Sequence, residues 1–313
     1  MAQPRLQLTA ALVGSGLAGV LVALQSRVTG GLSKEIGNGF VAAAVAFGGG
    51  LVVMCLVLLV SRRGRRGIAL MRAEVSAGKL PVWAMFGGAG GAFFVLNQGL
   101  IAPITGVALF TVGIVAGQVT GGLVLDRLGL GPSGRIYASP TRLLGAGLAI
   151  VAVGVTVAGS MDGGLMLLIL VPVIVGVGVA AQSMVNGLVR AAAESAVTAT
   201  FMNFLVGSAL LVTAAVISVA VSGWPTAWPT QFWHYGAGVI GVVFIAVASM
   251  LVRRAGVLLL SMSNVAGQLV AAMAFEIGFP LAGGLTPALV AGTLIALVAV
   301  IAAALPSKPL KRG

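Results

Sequence analysis

Residues 39–60 read GFVAAAVAFGGGLVVMCLVLLV, without one charged side chain. A helix needs about 20 apolar residues to cross the hydrocarbon core of a bilayer. Comparable runs fill the chain, and ten are predicted: roughly 7–28, 38–60, 82–101, 105–125, 142–159, 165–186, 197–221, 236–252, 256–276 and 287–305. Of 313 residues, 59% are hydrophobic and 8% charged, where soluble domains are about 25% charged. So little polar surface cannot cover a water-soluble fold. The ten-residue alternation of barrel strands is absent. The expected class is an all-α integral membrane protein with ten transmembrane helices.

A net charge of +12 raises a nucleic-acid partner, but the placement of the charges excludes one. Of 18 Lys and Arg, 16 fall in segments on one side of the predicted membrane. They include Arg62, Arg63, Arg65, Arg66, Arg72 and Lys79 in segment 61–79, Arg190, the Arg253–Arg254 turn and the tail SKPLKRG. That is the positive-inside bias, so this side is assigned to the cytoplasm with both termini. The loops SMDGG (160–164), 222–236 and 277–286 fall outside and contain no Lys or Arg; only Arg27 and Lys34 are basic there. Loop 222–236 carries Trp224, Trp228, Trp233 and Tyr235, an interfacial aromatic belt.

One cysteine, Cys55, and one histidine, His234, build no disulfide and no metal cluster. No Walker motif is present, no catalytic constellation is found, and no cofactor is expected. The start MAQPRLQLTAALVGSGLAGV has some signal-peptide character. It is read as an uncleaved first helix, because the residues after it join a repeat.

That repeat organises the chain. ALQSRVTGGLSKEIGNGFVAAAVAFGGG from Ala23 aligns with AAQSMVNGLVRAAAESAVTATFMNFLVG from Ala180. Gln25 pairs with Gln182, Phe47 with Phe204 and Gly50 with Gly207, at a constant offset of 157. Further along the offset is 150, pairing Gly91 with Gly241, Gly106 with Gly256, Gln118 with Gln268 and Asp126 with Glu276. In the fifth span it is about 145, with Ala146-Gly147 opposite Ala291-Gly292. Two five-span units are expected, 1–160 and 161–313. Five is odd, so the second starts on the opposite side of the membrane, the architecture of many secondary transporters.

Several of these residues carry a resemblance. Leu24-Gln25-Ser26, Ala116-Gly117-Gln118, Asp126 with the following Leu-Gly-Leu, and Arg142 opening the fifth span are together similar to the YdcZ-like branch of the drug/metabolite transporter superfamily. The chain resembles a fused pair of single-copy members. The second half departs from the pattern: Glu276 replaces Asp126 and Pro287 replaces Arg142. The resemblance implies a ten-helix bundle in a bacterial cytoplasmic membrane and export of small metabolites.

Polar side chains inside a span need a partner or a watery cavity. Gln118 and Gln268 sit mid-span in mated positions, and are read as interhelical glue or as donors and acceptors for a neutral polar solute. Gln25, Gln182 and Asn186 lie late in the first span of each copy; Gln182 and Asn186 share a helix face. Asn203 and Asn264 join them as cavity candidates, with Asn97-Gln98 judged more peripheral. Arg27 is read as snorkelling to the interface or anchoring an anion. Asp126, at a helix end beside Arg127, is read as a solvated or salt-bridged interface residue. Glu276 is a proton-coupling candidate, with snorkelling as the alternative. The row Gly113, Gly117, Gly121 predicts internal packing first and a homodimer seam second. The expected function is secondary transport of a small metabolite or drug-like solute, directed outward by resemblance, with membrane lipids as neighbours. The alternative is a flippase for a lipid or polyprenyl-phosphate substrate.

Overall fold

The structure is a computed structural model that describes residues 2–130, 134–158, 163–255, 257–282 and 284–305. These contain α1 (Ala2–Ile36), α2 (Gly39–Val60), α3 (Arg62–Ser76), a 3-10 turn (Val82–Gly87), α4 (Gly88–Leu100), α5 (Ala102–Thr105) and α6 (Val107–Leu128). There follow α7 (Pro140–Ala158), α8 (Gly163–Ala193), α9 (Ala196–Ser222), a second 3-10 turn (Phe232–Tyr235), α10 (Ala237–Ala255), α11 (Val257–Gly278) and α12 (Pro287–Ala304). No strand occurs among the described residues. Residues 160–162 of the SMDGG loop, the SKPLKRG tail beyond Pro306, and Gly256 lie outside the described residues.

Short polar residues set the helix ends. Asn38 Oδ1 accepts from the Phe40 and Val41 N–H groups, each at 3.1 Å, and opens α2. Ser61, Ser195 and Thr286 do the same for α3, α9 and α12, each accepting from the N–H three residues on. Such caps are worth about 1 kcal/mol, because first-turn N–H groups have no partner in their own helix.

Among the described residues six helices, α2, α6, α7, α8 from Leu170, α9 and α12, are long and apolar enough to cross a membrane. Their outer faces expose large apolar residues such as Val52, Leu59, Leu144, Ile150, Val216 and Ile217. In water that surface would be a liability; against lipid it is the expected exterior. The interior centres on α6, whose stretch Val107–Gly117 is buried throughout.

Two expectations are corrected. Segment 61–79, read as a loop, contains the helix α3. The stretch expected over 82–101 is not one continuous helix. It opens as a 3-10 turn, continues as α4, and is followed by the single turn α5, with Pro103 in it and Gly106 at φ +81° after it. Proline cannot extend a regular helix and a positive φ suits glycine, so the chain restarts at α6.

The helices pack in mated pairs. Gly19 on α1 lies so close to α11 that a Cβ there would strike the Asn264 carbonyl; its mate Gly176 on α8 lies likewise against Ile114 of α6. Asn264 and Ile114 are themselves repeat mates. Gly267 against Gly16, and Gly117 against Val173, complete the two crossings. On α2 and α9 the relation is reciprocal. Phe204 fills the space over Gly50, Phe47 fills the space over Gly207, and the rings meet with centroids 5.0 Å apart. Gly113, Gly117 and Gly121 all face α8, at Pro172, Val173 and Val177. The glycine row is used inside the molecule.

Candidate functional site

The polar residues singled out in the sequence fall into separate places. The densest lies where α8, α9 and α4 meet. Gln182 Nε2 donates to Asn203 Oδ1 at 2.9 Å, and Asn203 is buried. The face of α4 beneath them is cleared by glycines. A Cβ on Gly90 or Gly91 would run into the Gln182 side chain, and one on Gly87 would come 3.2 Å from Asn186 Oδ1. Gln182 and Asn203 therefore form a bonded amide cluster packed directly on the bare face of α4, with Asn186 one turn along α8 beside Gly87. Amides both donate and accept, so the cluster suits neutral polar groups.

The other copy builds the corresponding contact. Buried Gln25 lies over Gly241 of α10, where a Cβ would come 3.3 Å from its amide nitrogen. Gly91 and Gly241 are mates, as are Gln182 and Gln25. The asymmetry is in the third partner: position 46, mate of Asn203, is alanine.

Gln118 stands apart, in the second half of α6. With Asp126, Arg142 and Met262 it lines a cavity of about 80 Å³. That is room for about two or three waters, at about 30 Å³ each in the liquid. Asp126 Oδ2 pairs with Arg142 Nη1 at 3.0 Å, joining the end of α6 to the start of α7. Its partner is thus Arg142, across the α6–α7 connection, and not the neighbouring Arg127. The mate of Gln118, Gln268, is fully packed at the α1–α11 crossing, with its backbone against Gly19. Asn264 Nδ2 donates to the Ser15 carbonyl at 3.5 Å along the same seam.

Arg27 and Glu276 occupy the opposite end. Arg27 Nε donates to the Phe279 carbonyl at 2.9 Å, and Lys34 Nζ to the Leu281 carbonyl at 3.0 Å. Both cations bind α1 to the chain after α11. Glu276 does not snorkel, being only 3% exposed. Its Oε2 accepts the Val107 N–H at 3.0 Å. The carboxylate caps α6 from another helix, next to Gly106, where a Cβ would come 2.8 Å from Oε1. A negative group at a helix N-terminus is favoured by both the free N–H groups and the helix dipole.

Gln98, expected to be peripheral, has no exposed surface. Its Nε2 donates to Ser26 Oγ at 2.8 Å, and Ser26 donates to the Val22 carbonyl at 3.1 Å. Among the described residues its Oε1 and the hydroxyl of Thr29 are buried without a partner. The sequence signal is the stripe Ser26, Thr29, Ser33 on one face of α1, whose last member donates to the Gly99 carbonyl at 2.5 Å. Facing polar stripes on α1 and α4 mark a polar seam.

Comparison with known proteins adds the family. The family model described as "Putative inner membrane exporter, YdcZ" matches two segments, residues 10–156 and 167–306. A search of curated proteins found no match. The two matched segments cover most of the chain and are consistent with two repeats. On that match the chain belongs to the YdcZ family of inner-membrane exporters.

Proposed function

We propose that the protein exports a small, uncharged or weakly charged polar solute by alternating access between two inverted five-helix units, 1–160 and 161–313. The observation that carries this reading is the polar contact built twice: Gln25 over Gly241 and Gln182 over Gly91. Gln25 belongs to α1 of the first unit and Gly241 to α10 of the second. Gln182 of α8 and Gly91 of α4 reverse that arrangement. Each contact joins one unit to the other, which supports a substrate site between the repeats, where inverted-repeat transporters bind their substrates. Ten crossings, both termini in the cytoplasm and the mated crossings α1–α11 and α6–α8 fit the same scheme. Gln118 and the Asp126–Arg142 pair lie at the cytoplasmic end in this orientation, where a solute would enter before the amide cluster. Gln268 and Asn264 hold the seam that would move.

The flippase alternative uses Arg27 as a phosphate anchor. Its Nε is engaged by the Phe279 carbonyl, so only its terminal nitrogens remain for a phosphate, which leaves the flippase reading with less support than the paired amides give the soluble solute.

The test is efflux from proteoliposomes or loaded cells against a panel of neutral and zwitterionic metabolites and drug-like compounds. One compound should be moved by the intact protein. Gln182→Ala and Gln25→Ala should each reduce its kcat/KM by about tenfold, the scale of one lost hydrogen bond of about 1–1.5 kcal/mol. Transport unaffected by both substitutions would remove the amides from the path.

A further inference from the structure

α3 has no mate: the second copy passes from α9 to α10 through the aromatic loop. Its buried face is Gly64, Gly67 and Met71, spaced three and four. That face docks on the turn between α8 and α9. Thr198 Oγ1 donates to the Gly64 carbonyl at 2.9 Å, and a Cβ at Gly67 would strike Thr198 and Ser195. An insertion in one copy is thereby fastened to the other.

α3 opens with four arginines, and two are engaged. Arg63 Nε donates to the Glu194 carbonyl at 3.2 Å. Arg65 Nη1 donates to the Leu58 carbonyl at 3.2 Å and to that of Leu59, at the end of α2. Arg62 and Arg66 are exposed and have neither hydrogen bond nor ion pair among the described residues. Four residues apart, they share one helix face. With Arg63, Leu70 and Glu194 they line a cavity of about 320 Å³ between α3 and the α8–α9 turn. Three arginines against one glutamate leave the lining net positive, and the Glu194 carboxylate makes no ion pair with any of them. The turn also holds Glu194 at φ +50°, the one non-glycine positive φ among the described residues.

The geometry points to a binding site for the phosphate group of an anionic phospholipid, held by Arg62 and Arg66 between α3 and the α8–α9 turn. Guanidinium groups match phosphate oxygens in two parallel hydrogen bonds. The N-terminus of α3 adds its positive end. The lipid source follows from position. The apolar helix α2 ends at Val60 and α3 begins at Arg62, so the cavity sits at headgroup depth, where basic pockets and basic amphipathic helices meet anionic lipid. Leu70 supplies an apolar wall on the same side. A bound headgroup bridges α3 to the turn and so ties the two copies together through the membrane surface.

The test counts lipids on the purified full-length protein in detergent by native mass spectrometry, with phosphatidylglycerol and phosphatidylcholine of identical acyl chains. Phosphatidylglycerol should be retained on the order of tenfold more tightly. The double variant Arg62→Gln/Arg66→Gln should lose that preference. Glu194→Gln should strengthen it, because the carboxylate repels the phosphate; this gain does not depend on the fold of the arginine variant. Millimolar inorganic phosphate should leave the lipid in place. Equal retention of the two lipids, or an unchanged preference in the double variant, overturns the site. Displacement by inorganic phosphate overturns the lipid assignment in favour of a soluble anion.

Discussion

Glu276 reaches from the end of α11 to the first N–H of α6, and that contact decides what its substitutions do. Glu276→Ala leaves the Val107 N–H buried without an acceptor, which costs about 1–3 kcal/mol. Glu276→Gln keeps an acceptor oxygen and should lose less than half as much. Thermal unfolding in detergent, the two variants against the parent, measures the difference; equal losses would mean that the charge, and not the acceptor, holds α6. Transport separates the cap from the proton-carrier role. With the carboxylate serving as a cap, Glu276→Gln should still transport, whereas a carrier role predicts that it loses all dependence on a proton gradient. Gln182 offers a parallel case. Gln182→Leu strands buried Asn203 without its donor, so it should destabilise by about 1–2 kcal/mol. Gln182→Asn with Asn203→Gln, which exchanges the lengths, should recover part of that loss.

Between α2 and α9 the two phenylalanines and two glycines form a reciprocal joint, so damage to it should be symmetric. Gly50→Ala and Gly207→Ala each place a methyl group against a packed ring, Phe204 and Phe47 respectively. Overpacking of this kind costs about 1–3 kcal/mol, and the two variants should fall in melting temperature by similar amounts. A large fall in only one would show that the joint is not reciprocal. α2 and α9 are legible in the sequence itself: apolar length marks them, and the offset of 157 pairs Phe47 with Phe204 and Gly50 with Gly207. α3 is not. Its arginines mark it as a cytoplasmic connection, although Ile68, Met71 and Val75 recur at helical spacing opposite them and Gly64, Gly67 and Met71 are buried. Ser61 as a cap and the spacing of Gly64, Gly67 and Met71 are the clues that remain. Gln98 escapes for a related reason. A repeat draws attention to polar groups that recur, and the residue 150 positions later is Ala248. Its partner Ser26 lies in another helix, a pairing that no local pattern states.

At the scale of the whole chain, the proposed inversion of the halves rests on parity. Five crossings per copy would send the second copy through the membrane in the reverse direction, and the basic residues must then follow the cytoplasmic side and not the repeat. They do: the segment after the second helix of the first copy contains Arg62, Arg63, Arg65 and Arg66, while the equivalent segment of the second copy, 222–236, has no Lys or Arg and three tryptophans. The same position in the repeat is basic in one copy and aromatic in the other, as opposite membrane faces require. In that loop Trp228 Nε1 donates to the Pro225 carbonyl at 2.9 Å and Tyr235 Oη to the Pro229 carbonyl at 2.7 Å, which folds it on itself while Trp224 and Trp233 stay exposed for the headgroup layer. Cys55 is the single thiol, so a Cys55→Ser parent gives a clean background for labelling. In intact cells a membrane-impermeant maleimide should label Ser222→Cys and spare Ser76→Cys, and permeabilising the cells should expose the second. Both positions are exposed at helix ends, so neither is shielded by packing. Labelling of both from outside, or of neither, would mean that the two copies run in the same direction, and the alternating-access scheme built on their inversion would fall with it.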